Sequence, residues 1–354
     1  MKRVDLRAPC RVDLAGGTLD LWPLYLYTGG HHLVHMAIDI QTLARVQFTP
    51  SKKKGLEISI KSHDVKTDHT FKSIEELGET LNKSPQKIPS RWLNRLTHFC
   101  VSEKIEKPIN GKLEVECSSQ TPPGSGLGGS SVLGVALSKA LEKLLLSPSR
   151  QSDPWALQEE IRNLEAIEIA HPAGEQDYVP ALFGGLLIFE MDVRGKRVLR
   201  LPDKLAVALS KRIALVYTGK PHHSGINNWK IFQNFHDSSH SCREHLLSIH
   251  KTSRQMSEEL AGGSLARMGE LINEEWAARM KLGPTVNSPE LDRVWEAGRR
   301  YGAIARKACG AGGGGCMLLY FDDEKKCEAF YKMPLIHPNW ILLKVKAALR
   351  GVFA

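Results

Sequence analysis

The run Thr121-Pro122-Pro123-Gly124-Ser125-Gly126-Leu127-Gly128-Gly129-Ser130-Ser131 concentrates the chemistry of this chain in eleven residues. Before it, Leu113, Val115 and Cys117 alternate with polar residues, as a half-buried strand does. After it, Leu133, Leu137, Leu141 and Leu145 recur every four positions with Ala136, Ala140 and Leu144 beside them, which predicts a helix with one broad apolar face. A helix opening on glycines and serines presents unpaired N–H groups and a positive dipole end with no bulky side chain in the way, a setting for phosphate. Gly124 to Gly129 also satisfies G-x-G-x-x-G, yet two prolines separate it from the strand and no acidic residue follows on a second strand, so a dinucleotide site fits poorly. The P-loop pattern fails because no Lys-Ser or Lys-Thr follows the glycines.

The elements that must hold this loop can be read on either side. Strands are expected over Arg3–Leu14, Thr42–Phe48, Leu56–Ser62 and Phe183–Phe189, and helices over Arg91–Val101 and Pro154–Ala170. The second of these helices opens with Asp153-Pro154, an N-cap followed by proline at the first helical position. Arg194–Asp203 reads as a link, dividing the chain into 1–203 and 204–354. The second part begins with the strand Arg212–Tyr217, continues through long helices over 227–307, and closes with glycines, a strand Cys316–Phe321, a helix near Asp323–Met333 and a strand Trp340–Lys346. That order suggests an α+β layer of ferredoxin-like character.

Composition is that of a globular protein, with 42% hydrophobic and 25% charged residues over 354 positions. Forty-eight basic residues against 39 acidic ones give +9, but only Lys52–Lys54 forms a basic run. A small anionic substrate accounts for that charge without nucleic acid. The charged N-terminus lacks the apolar stretch of a signal peptide, and no apolar run reaches the ~20 residues that span a bilayer. A cytoplasmic protein without nucleic-acid or membrane partners is expected. The seven cysteines are scattered and contain no C-x-x-C pair, so reduced, buried thiols are expected. His236, His240, Cys242 and His245 cluster in what reads as a polar helix face rather than a zinc site. Nothing in the sequence sets an oligomeric state.

Two further motifs accompany the glycine loop: Arg7-Ala8-Pro9-Cys10-Arg11-Val12-Asp13-Leu14-Ala15-Gly16-Gly17-Thr18-Leu19-Asp20 near the N-terminus, and Lys307-Ala308-Cys309-Gly310-Ala311-Gly312-Gly313-Gly314-Gly315 near the C-terminus. In order and spacing the three resemble motifs 1, 2 and 3 of the GHMP small-molecule kinases, over essentially the whole chain. Within the family the chain resembles the D-glycero-D-manno-heptose 7-phosphate kinases and related sugar kinases, supported by Val216–Gly219, Ala173–Tyr178 and Asn287–Asp292. The galactokinase signature Gly-Glu-His-Thr-Asp-Tyr is absent. The resemblance implies an α+β, two-domain fold, ribosomal-S5-like in its first half and ferredoxin-like in its second, with the active site between.

The resemblance also implies roles, for an enzyme using ATP and Mg²⁺ on a sugar or sugar phosphate. Backbone from Pro123 through Gly124, Ser125, Gly126, Leu127, Gly128, Gly129 and Ser130 to Ser131 would cradle phosphate. Ser130 and Glu168 would hold the metal, Asp177 would take or orient the attacking hydroxyl, and Arg11 would neutralise the transferred phosphoryl group. Asp20, Gly17, Thr18, Gly313 and Gly314 would face the acceptor, with a carboxylate at Asp20 accepting two sugar hydroxyls. His31, His32, His35, Lys220, His222 and His223 are weighed as phosphate contacts against ordinary packing. The chain departs from the family pattern on this side: the motif-1 turn carries Trp22 and an extra residue before Tyr25, Glu175 stands where lysine is common, and Gly129 where serine is usual. The leading expectation is phosphorylation of the anomeric hydroxyl of a heptose 7-phosphate or similar sugar. Three other readings compete: a kinase of the same family for a fucose-, galactose- or mevalonate-type acceptor, a ligand sensor on the same fold that does not turn substrate over, and a nicotinamide-dependent oxidoreductase resting on Gly124–Gly129 alone.

Overall fold

The computed structural model describes residues 1–83, 90–221, 224–237, 240–334 and 337–353. His222 and His223 lie outside them, as does the side chain of His240. The chain runs β1 (Lys2–Ala15), α1 (Leu24–Tyr27), β2 (His31–Pro50), β3 (Leu56–Ser62), β4 (Thr67–Phe71), α2 (Ile74–Lys83), α3 (Arg91–Glu103), β5 (Gly111–Ser119), α4 (Gly129–Leu145) and α5 (Pro154–Ile169). It continues with α6 (Tyr178–Phe183), β6 (Leu186–Asp192), β7 (Gly195–Arg200), α7 (Asp203–Ser210), β8 (Ile213–Tyr217), α8 (Ser224–His236), α9 (His240–Ala261) and α10 (Met268–Met280). α11 (Pro289–Arg300), β9 (Ala305–Ala308), β10 (Cys316–Tyr320), α12 (Glu324–Tyr331) and β11 (Ile341–Leu343) complete it.

Two sheets form, in line with the α+β expectation. β1–β7 make a seven-stranded sheet in the order β4-β3-β5-β2-β6-β7, with β1 on the other edge of β2. β2 is long enough to serve three partners: β1 along its length, β6 through His31–Met36 and β5 through Thr42–Pro50. Between the last two, the chain's C-terminal residues fill the gap, with Ile38 bridged to Ala347 and the Ala348 N–H bonded to the Ala37 carbonyl. Residues 345–353 thus return to the first sheet, beyond the strand the sequence ends on. β8–β11 form a separate antiparallel sheet in the order β11-β8-β10-β9.

α4 carries the loop. Its predicted apolar stripe understates its burial: every residue from Ser131 to Glu142 is buried, because α3, α5 and the sheet enclose it. α5 starts where the Asp153-Pro154 pair directs, with the Asp153 carboxylate accepting from the N–H groups of Trp155 and Ala156 at 2.8 and 3.1 Å. The sequence misses α6 and β7. Phe183, expected in a strand, ends a six-residue helix that begins just after Asp177, and the expected link is an edge strand. All seven cysteines are buried thiols outside any disulfide. Among the described residues no helix is long and apolar enough to cross a membrane, and no cluster of three potential metal-binding side chains occurs.

Candidate active site

The glycine loop, motif 1, the loop before α6 and part of motif 3 line a single cleft of about 450 Å³. α4 begins on Gly128 in the left-handed conformation, φ +77°, and a Cβ there would press on the Asp177 carboxyl at 3.1 Å. Glycine therefore lets the helix N-terminus and Asp177 share one corner. Asp177 is clamped by Arg11: Nε donates to Oδ1 at 2.8 Å and Nη2 to the same oxygen. Arg11 Nη1 donates to the Gly126 carbonyl at 2.5 Å, and the Arg11 N–H to the Leu127 carbonyl at 3.3 Å, so one buried arginine fixes both loop and aspartate. From the other side, Tyr217 donates its hydroxyl to the Pro123 carbonyl at 3.1 Å and the Cys316 N–H bonds to the Ser125 carbonyl at 2.8 Å.

The carboxylate that meets the helix start is Glu165. Ser131 donates to its Oε1 at 3.0 Å and Tyr178 to its Oε2 at 2.6 Å. Burial pushes this carboxyl up to about 7, with the two hydroxyl donors working against the rise. Glu168, expected beside Ser130, is elsewhere: Arg91 and Arg95 hold it at 3.0 and 2.7 Å, and it does not line the cleft. Ile161, Glu165 and Glu168 share one face of α5, so helical spacing alone does not choose between the glutamates. α3 decides, because its arginines reach only the second. Ser130 lines the cleft exposed, its carbonyl accepting from Trp92 Nε1 at 3.1 Å.

Asp20 and Thr18 also line the cleft. Asp20 is buried; its Oδ2 accepts from the N–H groups of Glu175 and Gln176 at 2.8 and 3.1 Å, while Oδ1 has no partner. A Cβ on Gly174 would fall 2.2 Å from Oδ2, so only glycine lets this loop approach. Burial pushes the Asp20 carboxyl up to about 6, against those two N–H groups.

Other expected acceptor contacts are not brought here. Gly17 packs behind the turn, and Gly313 and Gly314 pack against Thr285 and Lys220 backbone; motif 3 lends the cleft Gly310 and Ala311 instead. Glu175 points away from the cleft, fully buried between Arg162 at 2.7 Å and Lys196 at 2.6 Å. Its departure from the family pattern therefore alters the back of the loop, not its cleft side. The space next to Gly129 is filled by the Thr121 hydroxyl, 2.4 Å from where a Cβ would sit. His31 is buried between the Gly16 carbonyl at 2.7 Å and His250 at 3.3 Å, and His35 is buried too; neither lines the cleft. Burial depresses both imidazoles to about 3, so they are neutral. Lys220 is exposed and pairs with Glu290.

The sequence reading passed over Asp13, Glu275, Arg279 and Lys307, four buried charges behind the Gly17–Asp20 turn. Lys307 Nζ lies 2.6 Å from Glu275 and 3.1 Å from Asp13; Arg279 Nη2 lies 2.6 Å from Glu275. Burial works against the Asp13 carboxylate, but Lys307 and Arg279 hold it below the usual carboxylate range. The available signals were Asp13 inside motif 1, Lys307 opening motif 3 and an i, i+4 Glu–Arg pair on a helix.

The cleft thus holds a glycine loop at a helix N-terminus, an aspartate clamped beside it and a second, buried carboxyl at Asp20. Residues 95–185 match the GHMP kinases N terminal domain and residues 256–333 the GHMP kinases C terminal. Both matches are to the two domains of the GHMP kinases, a family that uses ATP as phosphoryl donor. Over 341 residues it is 28% identical to the D-glycero-alpha-D-manno-heptose 7-phosphate kinase of Campylobacter jejuni, covering 92% of this chain and 91% of that protein. It is 26% identical over 346 residues to the L-fucokinase/L-fucose-1-P guanylyltransferase of Bacteroides fragilis, 92% of this chain but 35% of that longer protein. The Lactococcus lactis galactokinase complexed with galactose shares the fold, with a TM-score of 0.74 at 16% identity over 99% of this chain and 94% of that one.

Proposed function

We propose that the chain is an ATP-dependent kinase that phosphorylates a hydroxyl, the anomeric one, of a sugar or sugar phosphate such as D-glycero-D-manno-heptose 7-phosphate. The observation that carries this reading is Asp177 held by Arg11 at the start of α4, in a cleft that Asp20 also lines. Backbone from Pro123 to Ser131 receives the ATP phosphates, which favour a helix N-terminus and its N–H groups. Both Arg11 contacts fall on Asp177 Oδ1, so Oδ2 is the oxygen offered to the acceptor hydroxyl. A loose phosphoryl-transfer transition state asks mainly for alignment of that hydroxyl, which a clamped carboxylate provides. The anomeric hydroxyl suits this because it is the most acidic on a sugar. Asp20 accepts from the sugar, and Arg11 lends positive charge where the phosphoryl group passes.

The donors near α4 suit Mg²⁺: a serine hydroxyl at Ser131 and a half-buried carboxylate at Glu165 with no cationic partner among the described residues. Mg²⁺ held there and by phosphate oxygens would neutralise charge on ATP. Glu165 replaces Glu168 in this assignment, and Ser131 joins Ser130. Seven buried cysteines without a disulfide agree with a reducing compartment, and the cytoplasm is the proposed location.

The test is ADP release with Mg-ATP against heptose 7-phosphate, fucose, galactose and mevalonate, with D177N beside the wild type. Turnover with one sugar, lost in D177N, supports the reading. Turnover with mevalonate alone, or ATP binding without turnover on any acceptor, counts against it.

A further inference from the structure

The four buried charges behind the motif-1 turn join parts of the chain that are far apart in sequence. Asp13 comes from β1, Glu275 and Arg279 from α10, and Lys307 from β9. Two carboxylates and two cations cancel, each with 3% exposure or less. Arg279 does more than close this set. Its Nη2 donates to the Gly17 carbonyl at 2.9 Å and its Nη1 to the Thr18 hydroxyl at 3.2 Å, while Nε and Nη2 both hold Glu275 Oε1. Arg279 lines the cleft at Thr18 and Asp20 and contacts neither Asp177 nor the glycine loop.

Thr18 explains what such a tether is for. Its φ is +81°, in the left-handed region that a β-branched residue strongly avoids. Two other described non-glycine residues, Lys66 and Ala170, have positive φ, and both are exposed. The strained residue is thus the buried one, two positions before Asp20. A planar guanidinium reaches the Gly17 carbonyl, the Thr18 hydroxyl and Glu275 together, which a single ammonium does not.

We infer that Arg279 is a positioning residue for the acceptor: it holds the Gly17–Thr18 turn in its strained conformation and thereby sets Asp20 in the cleft wall. The inference rests on the sugar-kinase reading. Its test uses the full chain and the acceptor that the wild type turns over. R279K keeps the charge beside Glu275 and Asp13 but loses the span across the turn. The acceptor KM is expected to rise about tenfold or more, as for other supporting groups that orient a ligand-binding side chain, with the Kd for Mg-ATP unchanged. Adding T18G to R279K is expected to recover most of that loss, since glycine takes φ +81° without strain. A purely structural ion pair would show no such rescue.

An unchanged acceptor KM in R279K, a matching loss of Mg-ATP affinity, or no recovery on adding T18G overturns the inference. Should R279K fail to fold, T18A and T18G are compared with Arg279 in place. T18A, which keeps the strain and loses the hydroxyl, is expected to raise KM more than T18G; equal or reversed effects overturn the inference. Wild-type silence on every acceptor overturns the sugar-kinase reading and the inference with it, whereas wild-type turnover with an unaltered R279K overturns the inference alone.

Discussion

The two ends of the cleft are built by opposite means. At the end proposed for the nucleotide, small residues and backbone do the work: Gly128 turns into α4, and the loop is held by bonds to the Gly126, Leu127, Pro123 and Ser125 carbonyls. At the end proposed for the acceptor, ionisable side chains do the work: Asp20 on two N–H groups, and behind it the Asp13–Glu275–Arg279–Lys307 set drawn from β1, α10 and β9. Backbone cradles tolerate side-chain change as long as glycines keep their φ. Buried charge sets do not, because removing one member strands the others without water. Substrate choice is therefore expected to be sensitive to substitutions far from the acceptor, and nucleotide binding to be sensitive to few.

The largest test of this contrast lies where the two ends meet. D177N is expected to lower kcat about a thousandfold, the loss typical of a positioned proton-handling group, with Mg-ATP affinity nearly kept; single-turnover ADP formation and nucleotide titration read the two separately. E165Q is expected to weaken Mg²⁺ dependence about a hundredfold, an effect of the size seen when a metal site's supporting carboxylates are lost. Titrating Mg²⁺ at fixed ATP checks it, and an unchanged Mg²⁺ requirement would return the metal role to another carboxylate.

The carboxyls also separate the ends by pH. Glu165 rises to about 7 and Asp20 to about 6, and each works as the carboxylate. Below pH 7 the Mg²⁺ requirement should rise by about tenfold per unit, while acceptor KM should hold until pH 6 and then rise by the same factor. Binding is restored as pH rises through each value, because deprotonation regenerates the acceptor oxygens. Coincident profiles, or one that improves on acidification, would break the assignment. E168Q should have the smallest effect. It removes a half-buried pair with Arg91 and Arg95 and is expected to cost about 1 kcal/mol of stability, read as Tm, with the Mg²⁺ requirement unchanged.

The same contrast governs what the sequence could disclose. The glycine loop and the start of α5 are local: turn glycines, an alternating strand, a leucine repeat and an Asp-Pro cap each act over a few residues, and each was legible. Arg11 and Asp177, 166 residues apart, meet through tertiary packing, and only the likeness of motif 1 and of Ala173–Tyr178 to a family linked them beforehand. Glu168 is the carboxylate expected from the sequence; Glu165 lies on the same face of α5, and the arginines that capture Glu168 belong to α3, out of reach of any local pattern. The buried quartet was missed because charged residues read singly look like surface. Their partners lie on β1, α10 and β9, and no spacing rule joins those elements.

The most direct test of the central claim is ³¹P NMR of the wild type with Mg-ATP and the sugar that turns over. The account predicts one new phosphomonoester resonance, coupled to the anomeric proton and growing in step with ADP. Inorganic phosphate accompanying ADP, with no phosphorylated sugar, would contradict it.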